Sequence, residues 1–148
     1  MLIREAAEDD LLPLLELYTQ LHDNTMPELN TALNSLWCSI MADRNHHIII
    51  AENNGIIISS CVLIIVPNLT RNQRPYALIE NVITHEKYRN KGHATAVLNY
   101  ARESAVKDNC YKIMLMTGSK EDSIYSFYEK AGYNREDKTA FIQWLHLK

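Results

Sequence analysis

A chain that runs from an apolar strand through a basic, glycine-containing turn into an amphipathic helix has few folds open to it. Residues Glu80 to Leu98, ENVITHEKYRNKGHATAVL, make that run. Ala77 to Thr84 is apolar on both alternating sets of positions, the pattern of a strand covered on both faces. Glu80 and Asn81 interrupt it, and two polar residues there need a purpose. Ala94, Val97, Leu98, Ala101 and Ala105 then recur at helical spacing, so an apolar stripe follows the turn. Gly92 falls where that helix begins. The N–H groups of a helix's first turn lack intrahelical partners and carry the positive end of the macrodipole, so the junction suits an anion such as a phosphate. Arg89 and Lys91 add mobile positive charge, and Gly92 has no Cβ to keep a ligand off the main chain.

The segments on either side supply partners for this unit. Leu2 to Glu5 is expected to be a short strand. A helix follows, cued by Asp9 or Asp10, with Leu11, Leu14, Leu15, Tyr18 and His22 at helical spacing. A second helix is expected from about Asn30 or Thr31, where Leu33, Leu36, Trp37, Ile40 and Met41 trace one face, and His22 to Glu28 forms the polar connection. His47 to Glu52 and Gly55 to Val66 should form an antiparallel hairpin through Asn53-Asn54-Gly55. Pro67 to Pro75 is a loop whose Arg71 and Arg74 either face an anionic acceptor or, more commonly, stand in solvent. Lys112 to Thr117 should lie parallel to Ala77 to Thr84, because a helix joins them. A helix from about Asp122 to Ala131, stopped by Gly132, precedes a final strand, Thr139 to Leu147. The sum is a mixed, mostly antiparallel α/β sheet with about four helices.

Composition narrows the function. The net charge of -3 lacks the basic excess of a nucleic-acid binder, so no nucleic-acid partner is expected. The start, MLIREAAEDD, has no signal-peptide pattern, and the apolar run Ile56 to Val66 is too short to span a bilayer. A soluble cytoplasmic protein with no membrane partner is the expectation. Cys38, Cys61 and Cys110 show no Cys-x-x-Cys spacing and are expected as free buried thiols. His22, His46, His47, His85, His93 and His146 form no ligand pattern, so no metal is expected. Gly118-Ser119-Lys120 lacks the earlier glycine of a nucleotide phosphate loop.

Three runs, Val82-Ile83-Thr84, Arg89-Asn90-Lys91-Gly92-His93-Ala94 and Phe127-Tyr128-Glu129-Lys130-Ala131-Gly132-Tyr133, together resemble the GCN5-related N-acetyltransferases (GNAT) over about residues 77 to 133. The resemblance implies the acyl-CoA N-acyltransferase fold in one N-acetyltransferase domain, residues 1–148, with acetyl-CoA as cosubstrate. It implies main-chain contacts from Val82, Ile83 and Thr84 to the pantetheine arm and from Arg89 through Ala94 to the pyrophosphate. Tyr128 would then be the acid that protonates the leaving thiolate; a phenol with its ordinary pKa of about 10 is still protonated where a thiolate needs a donor. The plainer alternative is a core aromatic beside Phe127. Where the family often has an Asn near the start of this helix, the chain reads Glu121-Asp122-Ser123.

Glu80 is the candidate for receiving the amine's proton, because burial in an apolar strand would make its carboxylate a stronger base. The alternative is a Glu satisfied by a neighbouring strand or loop. Its place relative to Gly92 resembles a Glu of glucosamine-phosphate acetyltransferases, where Asp follows; here Asn81 does. The family's chemistry implies direct acetyl transfer to a primary amine of a small molecule or amino sugar. Transfer to a protein or peptide, or a non-catalytic acyl-CoA-binding module, are the alternatives. The final strand, with Trp144, could present an edge to a second copy, which leaves a homodimer open.

Overall fold

One strand, two helices, three consecutive strands and then helix, strand and helix set the architecture, and the computed structural model describes residues 1–22 and 24–145. The chain divides into two compact units, Met1–Leu115 and Met116–Lys148.

The first unit is built on a five-stranded sheet in the order β1-β2-β3-β4-β5: β1 (Leu2–Glu5), β2 (His46–Asn53), β3 (Ile56–Val66), β4 (Tyr76–Thr84) and β5 (Ile113–Leu115). β1 to β4 are antiparallel neighbours, and β5 runs parallel to β4, as the helical crossover between them requires. Asn54 and Gly55 turn the β2–β3 hairpin with φ values of 50° and 80°, the left-handed pair that lets two strands reverse in two residues. The strand expected over Lys112 to Thr117 contracts to Ile113–Leu115, because its partner residues on β4 end at Ile79.

Helices cover both faces. α1 (Leu11–Tyr18) and α2 (Thr31–Ala42) bring Leu14, Leu17 and Trp37 onto Ile48, Ile50, Val62 and Ile83. α3 (His93–Lys107) packs against β2, β3 and β4 and buries Val97, Leu98, Ala101 and Ala105, the stripe expected from spacing. β3 is thus buried along nearly its whole length. Its Cys61 is wholly buried, donates a weak bond to Val97 O on α3 at 3.6 Å, and has its thiol pushed by burial up to about 12. Cys38, expected to be buried, is exposed on α2, outside the apolar face. Two further buried groups, the hydroxyls of Tyr18 and Ser60, lie close together without closing a hydrogen bond of standard geometry; burial raises Tyr18 to about 12.

α1 stops at Tyr18, so His22 lies beyond the helix. The Asp10 carboxylate, expected as a candidate cap for this helix, instead takes a forked bond from Arg4, at 2.6 Å and 3.0 Å, and accepts from Ala7 N. Arg4 also reaches Glu52 at 2.7 Å, which joins β1, β2 and the start of α1 in one ionic knot. Among the described residues no helix is long and apolar enough to cross a membrane.

The second unit holds α4 (Asp122–Lys130), ended at Gly132 with φ 97°. The Tyr128 ring lies 4.9 Å from Phe127 and 6.2 Å, edge-on, from Tyr133. The expected final strand is not formed over residues 139–145, and its last positions, His146 and Leu147, lie outside the described residues. An alternating apolar pattern records a capacity to pair; a strand exists only where a ladder partner meets it.

Candidate functional site

β4 carries the first part of the site. Ala77, Leu78 and Ile79 pair with β3 on one side and β5 on the other. Beyond Ile79 the pairing to β5 stops, while β4 continues beside β3 as far as Thr84. Among the described residues, one edge of 80–84 therefore has no strand partner. Its main-chain groups are open to an extended, amide-containing ligand, the way a peptide adds to a sheet.

The same stretch contains a feature that the spacing of the sequence did not reveal. Glu80 is opposite Val62 and Ile83 is opposite Ser60, so Asn81 and Val82 together face only Cys61. This is a β-bulge, in which the extra residue is left out of the ladder and the strand bends. Asn81 takes φ 51°, a left-handed conformation that Asn tolerates better than most residues, and an Asn inside an apolar strand was the available signal. Below the bulge, Ser59 Oγ donates to Ile83 O at 2.9 Å. With that proton committed, the Thr84 hydroxyl is the donor in the 2.8 Å bond between Thr84 Oγ1 and Ser59 Oγ. Ser59, also missed in the sequence, fixes the end of β4.

Glu80 is exposed, which corrects the expected burial. The physical reason is the parting of β4 from β5: a side chain beside an open edge keeps its water. It projects on the face shared with Val62, the face covered by α1 and α2 further along.

After β4 a 3-10 turn, Glu86–Tyr88, leads into Arg89, Asn90, Lys91 and Gly92. The main chain of Glu86 donates to Gln20 Oε1 at 2.9 Å, which ties the turn to the residues following α1. Gly92 is the N-cap of α3 with φ 82°, and a Cβ built there would meet nothing within 4 Å. Glycine is thus required by the backbone, and the space above it is open. The first intrahelical bond of α3 runs from Ala96 N to Gly92 O at 3.0 Å. The amides of His93, Ala94 and Thr95 precede it, and no side chain caps them. They form a cluster of convergent donors at the positive end of a 15-residue helix.

The neighbouring cations rest on the turn. Arg89 Nε donates to Thr84 O at 3.3 Å, and Lys91 Nζ reaches Lys87 O at 3.5 Å while lying 5.5 Å from the Tyr88 ring centre. Neither has an ion-pair partner among the described residues, and both are exposed. Arg71 and Arg74 do not serve such a site: Arg74 holds the carbonyls of Asn109 and Cys110, and Arg71 lies 5.8 Å over Tyr111. Tyr128 belongs to the second unit, where it stands half-buried on α4. Among the described residues no three His, Cys, Asp or Glu side chains gather to hold a metal.

The uncapped start of α3 offers convergent main-chain donors, and residues 80–84 offer an unpaired edge of main-chain groups among the described residues.

Comparison with known proteins shows the family and the fold. Residues 11–133 match the model of the Acetyltransferase (GNAT) family. A glucosamine 6-phosphate N-acetyltransferase of Trypanosoma brucei brucei is 34% identical over 87 residues, 59% of this chain and 57% of that protein. The match thus spans little more than half the length of this curated relative. A solved structure from Agrobacterium tumefaciens str. C58, provisionally designated an acetyltransferase, is 40% identical and superposes with a TM-score of 0.90 over 98% of this chain and 100% of its own. The glucosamine-6-phosphate N-acetyltransferase of Arabidopsis thaliana, 22% identical, shares the fold with a TM-score of 0.82 over 97% of each chain.

Proposed function

Because the chain belongs to the GNAT acetyltransferase family, we propose that it moves the acetyl group of acetyl-CoA directly to the primary amine of a small molecule, with an amino sugar as the favoured acceptor class. The observation that carries this reading is the open edge of 80–84, which leads along the chain into the uncapped amides of α3. The relative named for glucosamine 6-phosphate supports the acceptor class. We assign the activity to residues 1–148 as one domain, working in the cytoplasm.

Bound acetyl-CoA supplies a thioester; transfer forms a C–N bond to the acceptor, breaks the C–S bond and requires one proton to leave the amine and one to reach sulfur. The amides of His93, Ala94 and Thr95 hold the diphosphate, with Arg89, Asn90 and Lys91 at its rim. The main chain of Val82, Ile83 and Thr84 aligns the arm. A main-chain amide freed by the bulge at Asn81 and Val82 is the donor we assign to the acyl oxygen, where fixed dipoles act most strongly on developing charge. Glu80 attracts the acceptor's ammonium and takes one proton from it, which frees the lone pair; the second proton, lost from nitrogen as the C–N bond forms, balances the one delivered to sulfur. Tyr128 donates to the departing thiolate, a role that rests on its Phe127-to-Tyr133 motif.

The test is release of free thiol from acetyl-CoA across a panel of amines that includes glucosamine 6-phosphate, neutral amino sugars and peptides. Turnover should be fastest with a sugar amine. Tyr128→Phe should lower kcat by roughly 100-fold with acetyl-CoA affinity intact, and Glu80→Gln should lower kcat/KM for the amine. Thiol release with peptides alone would overturn the acceptor class, and no coenzyme A uptake by calorimetry would overturn the activity.

A further inference from the structure

The turn that delivers Gly92 to α3 uses its main chain in two ways. From His85 to Arg89 every N–H has an acceptor. His85 N donates to Ile58 O at 2.9 Å, Glu86 N to Gln20 Oε1 at 2.9 Å, Lys87 N to His85 Nδ1 at 3.2 Å, Tyr88 N to His85 O at 2.8 Å and Arg89 N, weakly, to Glu86 O at 3.5 Å. From Asn90 to Thr95 no N–H has one among the described residues. The second group contains the donors assigned to the diphosphate, and the first is what holds them in place. A 3-10 turn leaves its first donors without partners of its own, so Glu86 N and Lys87 N take theirs from outside the ladder. Lys87 N uses the adjacent His85. Glu86 N uses a side chain 66 residues away in sequence.

The chain around Gln20 is itself fixed. α1 ends at Tyr18, and the main chain then turns through bonds from Gln20 N to Leu17 O at 3.1 Å and from Leu21 N to Tyr18 O at 2.9 Å. Tyr18 and Leu21, on either side of this turn, pack against the core beneath α1 and α2. α1 lies over β3 and β4, on the face where Glu80 projects. We propose that Gln20 is a positioning residue for the cofactor: from the end of the helix that covers the acceptor's face of the sheet, its Oε1 fixes the first amide of the 3-10 turn and so sets where Gly92 and the open amides after it stand. The inference rests on reading those amides as the diphosphate site. Linkage is reciprocal, so a bond that favours the ligand-ready turn is itself strengthened when the ligand binds.

Amide exchange read by NMR at Glu86 tests the bond in the unaltered chain. The Glu86 N–H should exchange more slowly than in unstructured chain, and saturating coenzyme A should slow it further. Gln20→Met keeps the length of the side chain without a strong acceptor. It should release the Glu86 amide and leave that of Lys87, held by His85, unchanged. Calorimetry should then show coenzyme A bound roughly 3- to 10-fold more weakly, the worth of one ordinary hydrogen bond, with circular dichroism native. Gln20→Glu restores an oxygen acceptor, and in about 0.5 M salt, where exposed charges are screened, it should bind coenzyme A within about 2-fold of the unaltered chain. Equal affinity in Gln20→Met and the unaltered chain, or exchange at Glu86 that ignores both the substitution and the ligand, would overturn the inference and leave the diphosphate site standing. Failure of Gln20→Glu to recover affinity would assign the loss to packing instead of the accepted bond, and would overturn it as well. No uptake of coenzyme A by the unaltered chain would remove the site itself.

Discussion

α2 and α3 begin in opposite ways. At the start of α2, Asn30 takes extended backbone angles and its side chain accepts from Leu33 N at 3.0 Å, so the helix satisfies one of its own orphan donors. At the start of α3, Gly92 takes φ 82° and offers no side chain at all. A cap of the first kind is worth about 1 kcal/mol to the fold. Its omission at α3 forgoes that stability and leaves the amides of His93, Ala94 and Thr95 without a side-chain acceptor. α1 adds a third case: its cap position is held by Asp10, whose carboxylate is committed to Arg4 and Ala7. α1 and α4 also start without a side-chain cap bond, but among the described helices only α3 begins at a glycine with a left-handed backbone and open space above it.

The strongest way to break this contrast is Gly92→Val. A β-branched residue resists the left-handed conformation at a cost of roughly 1–3 kcal/mol, and the start of α3 should reorganise to escape it. Calorimetry should show coenzyme A affinity weaker by roughly 10- to 100-fold while circular dichroism stays native. Undiminished affinity would mean the open amides do not hold the ligand.

Asp10→Asn tests the ionic cap. Arg4 is the largest cause holding the Asp10 carboxyl below the usual carboxylate range, against the opposing effect of burial. The folded value therefore lies below the unfolded one of about 3.9, so the stabilisation is complete above the unfolded value and is lost as pH falls through the folded one. At neutral pH the substitution should cost roughly 1–3 kcal/mol in urea unfolding, and the gap to the native protein should close in acid. A gap constant from pH 7 to pH 3 would rule out the ion pair as its source.

Asn30→Ala should lower unfolding free energy by about 1 kcal/mol and leave coenzyme A affinity within error, which separates a cap that serves the fold from a start that serves a ligand. The smallest effects belong to Arg89→Ala and Lys91→Ala. Exposed charges beside a helix start contribute about 0.3–1 kcal/mol, so each should weaken binding by roughly 2- to 5-fold, with the difference fading at high salt. A larger, salt-insensitive loss would shift the site from amides to side chains.

The turn at Gly92 was legible in the sequence because everything that makes it is local: a glycine, its basic neighbours and the periodic stripe of α3. The hairpin at Asn54 and Gly55 was legible for the same reason. Features that depend on a distant partner were not. That β4 leaves β5 after Ile79 is a property of register, and the exposure of Glu80 follows from it. Asn81 was visible as an interruption, but its bulge exists only relative to Cys61 on β3. Thr139 to Leu147 looks like a strand by pattern, and no residue within the segment records that 139–145 meets no ladder partner among the described residues.

The thiol of Cys61 turns the core into its own reporter. Sealed between β3 and α3 and kept protonated far beyond neutral pH, it is out of reach of an alkylating reagent until the sheet opens. Cys38 stands in the solvent and Cys110 halfway, so three cysteines in one chain should be modified in sequence, and the slowest of them counts global opening events. A mass spectrum taken at intervals during labelling then tells how often the native sheet comes apart, with no denaturant and no engineered probe.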